Sequence, residues 1–266
     1  MEEVSTRQRQ ILDLAREAGR VNVEELALRF DVSPQTIRKD LNDLCDRRFL
    51  ARIHGGAILA SSVENVGYEA RRFVAQDEKR RIGEAAARLV SNRSSLFINI
   101  GTTTEEVAKA LANHDSLLVI TNNLHVAAEL YRNPRIEVIL AGGTVRRSDG
   151  GIIGAATVEF IRQFRVDTAI IGASAIDSDG TLLDFDYREV RVSRAIIENA
   201  RRVVLVADRL KFERSAPIRI AHLEEIDVFV TDRIPSKDVQ ELFAAHRVEV
   251  VETANVTLEN GGASFD

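Results

Sequence analysis

The chain has a single cysteine, Cys45, among its 266 residues. One thiol excludes an internal disulfide framework and a cysteine-rich metal centre. The five histidines are scattered and none is paired as His-x-x-x-His, so no metal site is expected from the sequence. Long apolar runs are missing too. Hydrophobic residues make up 45% of the chain, but none of their runs approaches the roughly 18 residues of a membrane-spanning helix. The first residues are acidic and charged, unlike a secretion signal. A cytoplasmic protein with no membrane partner and no cofactor is expected. A Gly-x-Gly-x-x-Gly turn is absent as well: Gly142-Gly143 and Gly150-Gly151 lack that spacing, which argues against a dinucleotide site. Finally, there is no excess of positive charge. The formal net charge is -5, and residues 1–57 hold ten basic against ten acidic side chains. Any contact with a polyanion must rest on a local cluster. One copy would neutralise few phosphates, so tight binding calls for a homodimer or homotetramer.

What the chain does have is organised around Val32 to Leu41. Ser33 suits a helix N-cap and Pro34 its first turn. Ile37, Leu41 and Leu44 recur at i, i+4 and i+7, so one stripe faces a core while Gln35, Thr36, Arg38, Lys39 and Asn42 point elsewhere. Gln and Arg can each make paired contacts to purine edges, which suits a major groove; an ordinary polar helix surface is the alternative. Upstream, Ile11, Leu12 and Leu14 begin one short helix that Gly19 stops, Val23 to Phe30 forms another, and Asp31-Val32 turns the chain into the reading helix. That is helix-turn-helix spacing. Downstream, Phe49 to Ala57 alternates like a strand and closes on Gly55-Gly56, a wing that directs Arg52 and His54 toward phosphates.

The length accommodates this small unit plus a domain of ordinary size. Residues 58–76, with Ser61-Ser62, Gly67 and Arg71-Arg72, show no sustained period and read as a linker or docking arm. From Asp77 onward, short apolar strands alternate with amphipathic helices: Leu96 to Ile100, Leu117 to Ile120, Val138 to Ala141, Val166 to Gly172, Val203 to Ala207 and Val228 to Val230 are the strands. This pattern predicts an α/β domain with a mostly parallel sheet, whose ligands gather at the carboxyl ends of its strands. Gly101, Thr102, Thr103 and Thr104 open a helix after one strand and form a candidate phosphate cradle. Asn122 and Asn123 follow the next strand and Gly142 and Gly143 the third. Lys211, after Asp208, offers a point charge to a phosphate. Asp184, Asp186 and Glu189 suit sugar hydroxyls, a solvated acidic loop being the alternative.

These residues also carry a resemblance. Glu25-Leu26-Ala27, Val32-Ser33, Thr36-Ile37-Arg38, Asp40-Leu41 and His54-Gly55-Gly56-Ala57 resemble the N-terminal domain of the DeoR family of bacterial repressors, with Val21 to Asp40 as its helix-turn-helix segment. Asn99 to Thr104, Val119 to Asn123, Ile139 to Gly143, Ala207-Asp208 and Lys211-Phe212 resemble that family's sensor domain, which is similar in fold to sugar-phosphate isomerases. The runs Arg147 to Gly154, Ile176 to Gly180, Phe185 to Arg191 and Arg194 to Asn199 are similar to members governing glycerol and glycerol-3-phosphate metabolism.

The resemblance implies a repressor of those genes that binds double-stranded operator DNA. Its DNA-binding residues are Ser33, Gln35, Thr36, Arg38, Lys39, Asn42, Arg52 and His54. Glycerol 3-phosphate is the implied effector, or else another phosphorylated sugar, and it releases the operator. The implied organisation is a winged helix-turn-helix domain over 1–57, a linker over 58–76, an effector-binding domain over 77–253 and a mobile tail over 254–266. Three positions depart from the family pattern: Asn99 stands where many relatives have Asp, Ala175 where Gly is common, and Glu213 where Gly usually follows Lys-Phe. The rival reading is an isomerase-like enzyme. It needs a base beside a carbonyl, which Asn99 cannot be and for which Asp184, Asp186 or Glu189 remain.

Overall fold

The computed structural model describes residues 4–18, 20–47, 49–53, 55–59 and 68–253. The first unit runs α1 (Thr6–Ala18), β1 (Arg20–Asn22), α2 (Val23–Phe30), α3 (Pro34–Asp46), β2 (Leu50–Ile53) and β3 (Gly56–Leu59). Asn22 caps α2 by accepting the Glu24 N–H, and the helix ends at Asp31, whose φ of 51° is left-handed. A left-handed residue turns the chain off the helix axis at once, so only a few residues separate α2 from α3. Ser33 starts α3 by accepting the Thr36 N–H at 3.2 Å. The predicted stripe is buried: Ile37 and Leu44 are 0% exposed and Leu41 2%, packed with Ile11, Leu12 and Leu26.

Between α1 and α2 lies a strand that the sequence pattern did not reveal. The small sheet has the order β1-β3-β2, and Val21 of β1 faces Ala57 of β3. A Cβ on Gly56 would come within 2.0 Å of the Val21 carbonyl, so this close approach requires glycine. The Gly-Gly pair thus serves the pairing of β3 with β1 as well as the turn.

Of the stretch over 58–76, expected as a linker or docking arm, the described part docks. β3 extends to Leu59, and α4 (Tyr68–Phe73) is a helix that packs on the second unit. Six residues are too few for periodicity to declare a helix, and tertiary contacts hold it. The expected tail over 254–266 lies outside the described residues, as do Gly19, Arg48 and His54.

The second unit continues with α5 (Gln76–Arg88), β4 (Ser95–Ile98), α6 (Thr102–Ala110), β5 (Leu117–Thr121), α7 (Leu124–Leu130), β6 (Ile136–Leu140), β7 (Thr144–Val145) and β8 (Ile152–Ile153). Then come α8 (Ala155–Ile161), β9 (Val166–Ile171), β10 (Ala175–Ile176), β11 (Thr181–Asp184), α9 (Tyr187–Glu198), β12 (Ala200–Val206), β13 (Ile218–His222), β14 (Val228–Thr231), α10 (Lys237–Ala245) and β15 (Glu249–Glu252). Seven strands form one sheet in the order β15-β14-β12-β9-β4-β5-β6. Every pair in it is parallel, so all the carboxyl ends lie along one edge.

Side chains alternate between the two faces of the sheet. Phe97, Ile120, Ala169, Leu205 and Phe229 join one apolar cluster with α8, α9 and α10. Ile98, Val119, Ile170, Val204 and Val230 join the other with α5, α6 and α7. Burial on both faces explains why these strands read as continuous apolar runs. A small antiparallel sheet, β10-β11-β13, was not anticipated; it places Leu183 beside Arg219 and Asp184 beside Ile218 near the carboxyl edge.

Candidate functional site

The polar face of α3 is open. Gln35, Arg38, Lys39 and Asn42 are exposed and Thr36 half-buried, and together with Ser33 they line one concavity of about 650 Å³. The Ser33 hydroxyl is already engaged, 2.9 Å from that of Thr36. Arg38 stands 3.6 Å from Glu24, an exposed pairing that costs little to break. Arg52 lies on β2 opposite Ala57, its side chain outside what is described. Asp40 had not been singled out. It lines the concavity together with Arg7, from which it accepts at 2.6 Å, fixing α3 against α1.

At the carboxyl edge, the predicted loops come together. α6 begins at Gly101 with no side chain capping it. Its N-terminal amides therefore remain available to an anion, with Thr102 and Thr103 beside them. Thr104 is different: its hydroxyl donates to the carbonyls of Asn99 and Gly101, 2.7 Å each, and its side chain is 0% exposed, so it braces the loop. Asn99 behaves likewise, donating to Ser193 at 2.7 Å and accepting from the Ile100 N–H.

Asn122 and Asn123 are also fully buried. Asn122 donates to the Ile152 carbonyl at 3.1 Å, while Asn123 caps α7 and donates to Glu105 at 3.2 Å. Gly142 and Gly143 are exposed, and the Gly142 carbonyl accepts from Thr157 at 3.0 Å. These residues brace the loops at the carboxyl edge.

Arg146 is the centre that sequence reasoning missed. Its Nε donates to Asp149 at 2.8 Å and its Nη2 to the other Asp149 oxygen at 2.6 Å. Nη1 reaches Asp186 at 3.0 Å, and Nη2 also donates to Glu189. Burial works against its charge, but the hydrogen bond to Asp149 and the charges of Glu189 and Asp149 outweigh that and raise its pKa well above the ordinary value. Burial likewise opposes ionisation of Asp149 and Asp186. Hydrogen bonds from Arg146 nevertheless lower Asp149, and bonds from Arg188 and Arg146 hold Asp186 at about 2. Glu189 goes the other way: burial, reinforced by the Asp184 charge, pushes it up to about 7. Asp184 accepts from Ser174 at 2.9 Å.

A second group surrounds Asp208 at the end of β12. Lys211 is half-buried, and its pKa falls to about 7 through burial and the neighbouring charge of Arg214. Burial lowers Arg214 as well. Asp208 is lowered despite burial by the charges of Lys211 and Lys79. The site is thus electrically divided. Lys79, Lys211 and Arg214 outnumber Asp208 on one side, while on the other Asp149, Asp186 and Glu189 surround Arg146, with Asp184 beside them. A molecule with an anionic end and several hydroxyls matches that division.

Away from the edge, the fold gathers His222, Glu224 and His246, with ligand atoms within 4.8 Å of one another. Their separation in sequence concealed the grouping. Both nitrogens of His222 already bond within the protein, to the Asp179 carbonyl at 2.8 Å and to the Glu224 N–H at 3.4 Å.

A winged helix-turn-helix head joined to a parallel α/β sensor domain defines a ligand-responsive DNA-binding regulator. The DeoR-like helix-turn-helix domain pattern matches residues 7–63 and the DeoR C-terminal sensor domain pattern residues 74–233. The chain belongs to the DeoR family. It is 48% identical over 240 residues to the glycerol-3-phosphate regulon repressor of Escherichia coli (strain K12), covering 90% of this chain and 95% of that one. The repressor of the same name from Haemophilus influenzae is 48% identical over 231 residues, 87% of this chain and 90% of its own. The transcriptional repressor CsqR of E. coli is 41% identical over 242 residues, 91% and 93% of the two chains. Among solved structures, ribose 5-phosphate isomerase A from Neisseria gonorrhoeae has a TM-score of 0.38 at 17% identity, over 52% of this chain and 54% of that one. That likeness is slight.

Proposed function

We propose that this chain is a transcriptional repressor of glycerol and glycerol-3-phosphate metabolism genes, released from its operator by sn-glycerol 3-phosphate. The observation that carries the reading is the 48% identity to the glycerol-3-phosphate regulon repressor, which spans 90% of the chain and hence both functional halves. The reading head is assigned to 1–57, with α3 in the major groove and Gln35, Arg38, Lys39 and Asn42 facing the DNA. The sensor is assigned to 77–253.

In the sensor, the phosphate lies against the α6 amides and the Lys211 side of the pocket, and the two hydroxyls of the ligand lie toward Asp184 and Glu189. Lys211 near 7 gains a full charge when a dianion arrives. Because one copy neutralises few phosphates, the working form is a homodimer or homotetramer in which two reading helices engage paired half-sites. The ligand releases DNA by binding the DNA-free arrangement better, a coupling of about 1 to 3 kcal/mol.

The test is a fluorescence-anisotropy titration of a glycerol-metabolism promoter fragment with full-length protein. sn-Glycerol 3-phosphate should weaken binding about fivefold or more, with fructose phosphates as the comparison. Unchanged affinity with glycerol 3-phosphate but release by a hexose phosphate would reassign the effector.

Glu189 gives the enzyme reading its one specific support, since a carboxyl near 7 is suited to a general base. Its pairing with Arg146 favours a structural role, and the relatives are named as repressors. Turnover of a sugar phosphate by pure protein, abolished by Glu189→Ala, would reverse the choice.

A further inference from the structure

Residues 64–73 fall between the two family matches, which cover 7–63 and 74–233. The described part of this stretch, α4, nevertheless reaches the sensor's site. Arg71 on α4 inserts its guanidinium beside Asp149, with its side chain only 15% exposed. Among the described residues its one ion pair is long, 3.3 Å from Nη2 to Asp149. Both oxygens of Asp149 are already taken by Arg146, at 2.6 and 2.8 Å. The Arg71 Nε is buried and has no hydrogen-bond partner among the described residues. A guanidinium carries five N–H donors in a fixed fork, and buried donors are seldom left unsatisfied. The unmet demand is for an oxygen acceptor at Nε.

We propose that Arg71 is a direct ligand of the effector's phosphate, so that the segment joining the reading head to the sensor is itself part of the effector site. The inference rests on the reading of this chain as a repressor that answers to a small polyol phosphate. Arg71 sits where the two halves of the site meet: its charge acts on Asp149 and Glu189 on the carboxylate side, and on Lys211 and Arg214 on the cationic side. A phosphate held by Lys211 and the α6 amides supplies the fork with the acceptors that Asp149 cannot.

The same helix is fastened to the elements at the carboxyl edge. The Tyr68 hydroxyl donates to Glu105, in the first turn of α6, at 2.8 Å. The Tyr68 ring stacks on His125 of α7, centroids 4.9 Å apart and planes 9° from parallel. The Lys79 ammonium donates to the Arg71 carbonyl. α4 is six residues long, under two helical turns, so it moves as a unit when its arginine changes partners. Turning from Asp149 to a phosphate therefore shifts the segment that leads back to the reading head. The sequence hid this because Arg71-Arg72 lies in a stretch without period, where a pair of charges reads as solvated.

The experiment uses full-length protein and three measurements on wild type, Arg71→Gln and Arg71→Lys. These are calorimetric affinity for sn-glycerol 3-phosphate, competition by inorganic phosphate, and operator affinity by anisotropy with and without the effector. The expected result for Arg71→Gln is at least a tenfold loss of effector affinity, loss of phosphate competition and a DNA complex that the effector no longer releases. Its operator affinity without effector should stay within threefold of wild type. Arg71→Lys, which keeps the charge but not the fork, should recover part of the affinity and of the competition. A purely structural arginine would leave phosphate competition unchanged.

Wild-type affinity and competition in either variant would overturn the proposal. If Arg71→Gln loses its cooperative melt, the lysine variant decides alone: a several-fold loss supports Arg71 as ligand and wild-type affinity refutes it. Failure of the wild-type protein to bind glycerol 3-phosphate would instead sink the effector assignment on which the inference stands.

Discussion

Arg7 on α1 and Asp40 on α3 meet at 2.6 Å, where both line the concavity beside the reading face. Gln8 adds a bond to Asp43 at 2.9 Å. Together these contacts fix α3 against α1 and set the angle at which it is presented. Arg7→Ala is expected to lower stability by about 1 kcal/mol, since the arginine is a third exposed and its pairing is partly screened. It should also weaken operator and non-operator DNA alike. A denaturant melt and a pair of anisotropy titrations check this, and selective loss of operator binding would place Arg7 among the base readers.

Arg38 and Lys39 are neighbours on the open face and should behave differently. Arg38→Ala should cost about 1 to 3 kcal/mol of specific binding and relax the preference at one base pair. Lys39→Ala should weaken all sequences by similar factors and reduce the slope of log affinity against log salt. Competition titrations against single-base operator variants distinguish the two.

Thr103→Val tests the anion corner while leaving the reading head alone. Thr103 is 6% exposed and next to the uncapped start of α6. Operator binding should survive, and release by glycerol 3-phosphate should be lost. Failure to bind operator at all would show that the substitution damages the fold, not the response.

Glu189 makes stability depend on pH. Its carboxyl titrates near 7 in the folded chain against about 4.3 in an unfolded one. Between these values the folded form holds a proton that the unfolded form has lost, so stability falls as pH rises from about 4 to 7 and levels off above. The fall is on the order of 3 kcal/mol, at 1.36 kcal/mol per pH unit. Glu189→Gln should flatten it, as read from urea melts at pH 5 and pH 8. An equally steep fall in the variant would assign it to another group.

Lys211 predicts proton uptake. Its amine titrates near 7 in the absence of ligand, and a phosphate beside it raises that value. At pH 7.5 the amine is mostly neutral before binding and charged after, so binding takes up protons. Calorimetry in two buffers of different ionisation enthalpy should show this, and Lys211→Met should reduce it.

The extent to which the sequence disclosed this molecule follows from the range over which each feature is built. The reading helix is local: Ser33, Pro34 and the Ile37-Leu41-Leu44 stripe lie within a dozen residues, and all appear where the spacing put them. The parallel strands are legible because burial on both faces leaves continuous apolar runs. The Arg146 centre is not, because Arg146, Asp186 and Glu189 come from separate segments that only the sheet edge unites. β10, β11 and β13 are equally hidden, Ala175–Ile176 being too short to show alternation. Thr104 shows the reverse relation. Its hydroxyl suggests ligand contact, but it donates to the carbonyls of its own loop.

The pairing of Arg20–Asn22 with the wing has a mechanical consequence. This strand precedes the reading helix in sequence and is hydrogen-bonded to Gly56–Ile58, which follow it. Among the described residues the wing is therefore clamped from both directions. On the proposed reading the head engages or leaves its double helix as a solid block. In the proposed oligomer, induction acts on how far apart, and at what tilt, two such blocks are carried.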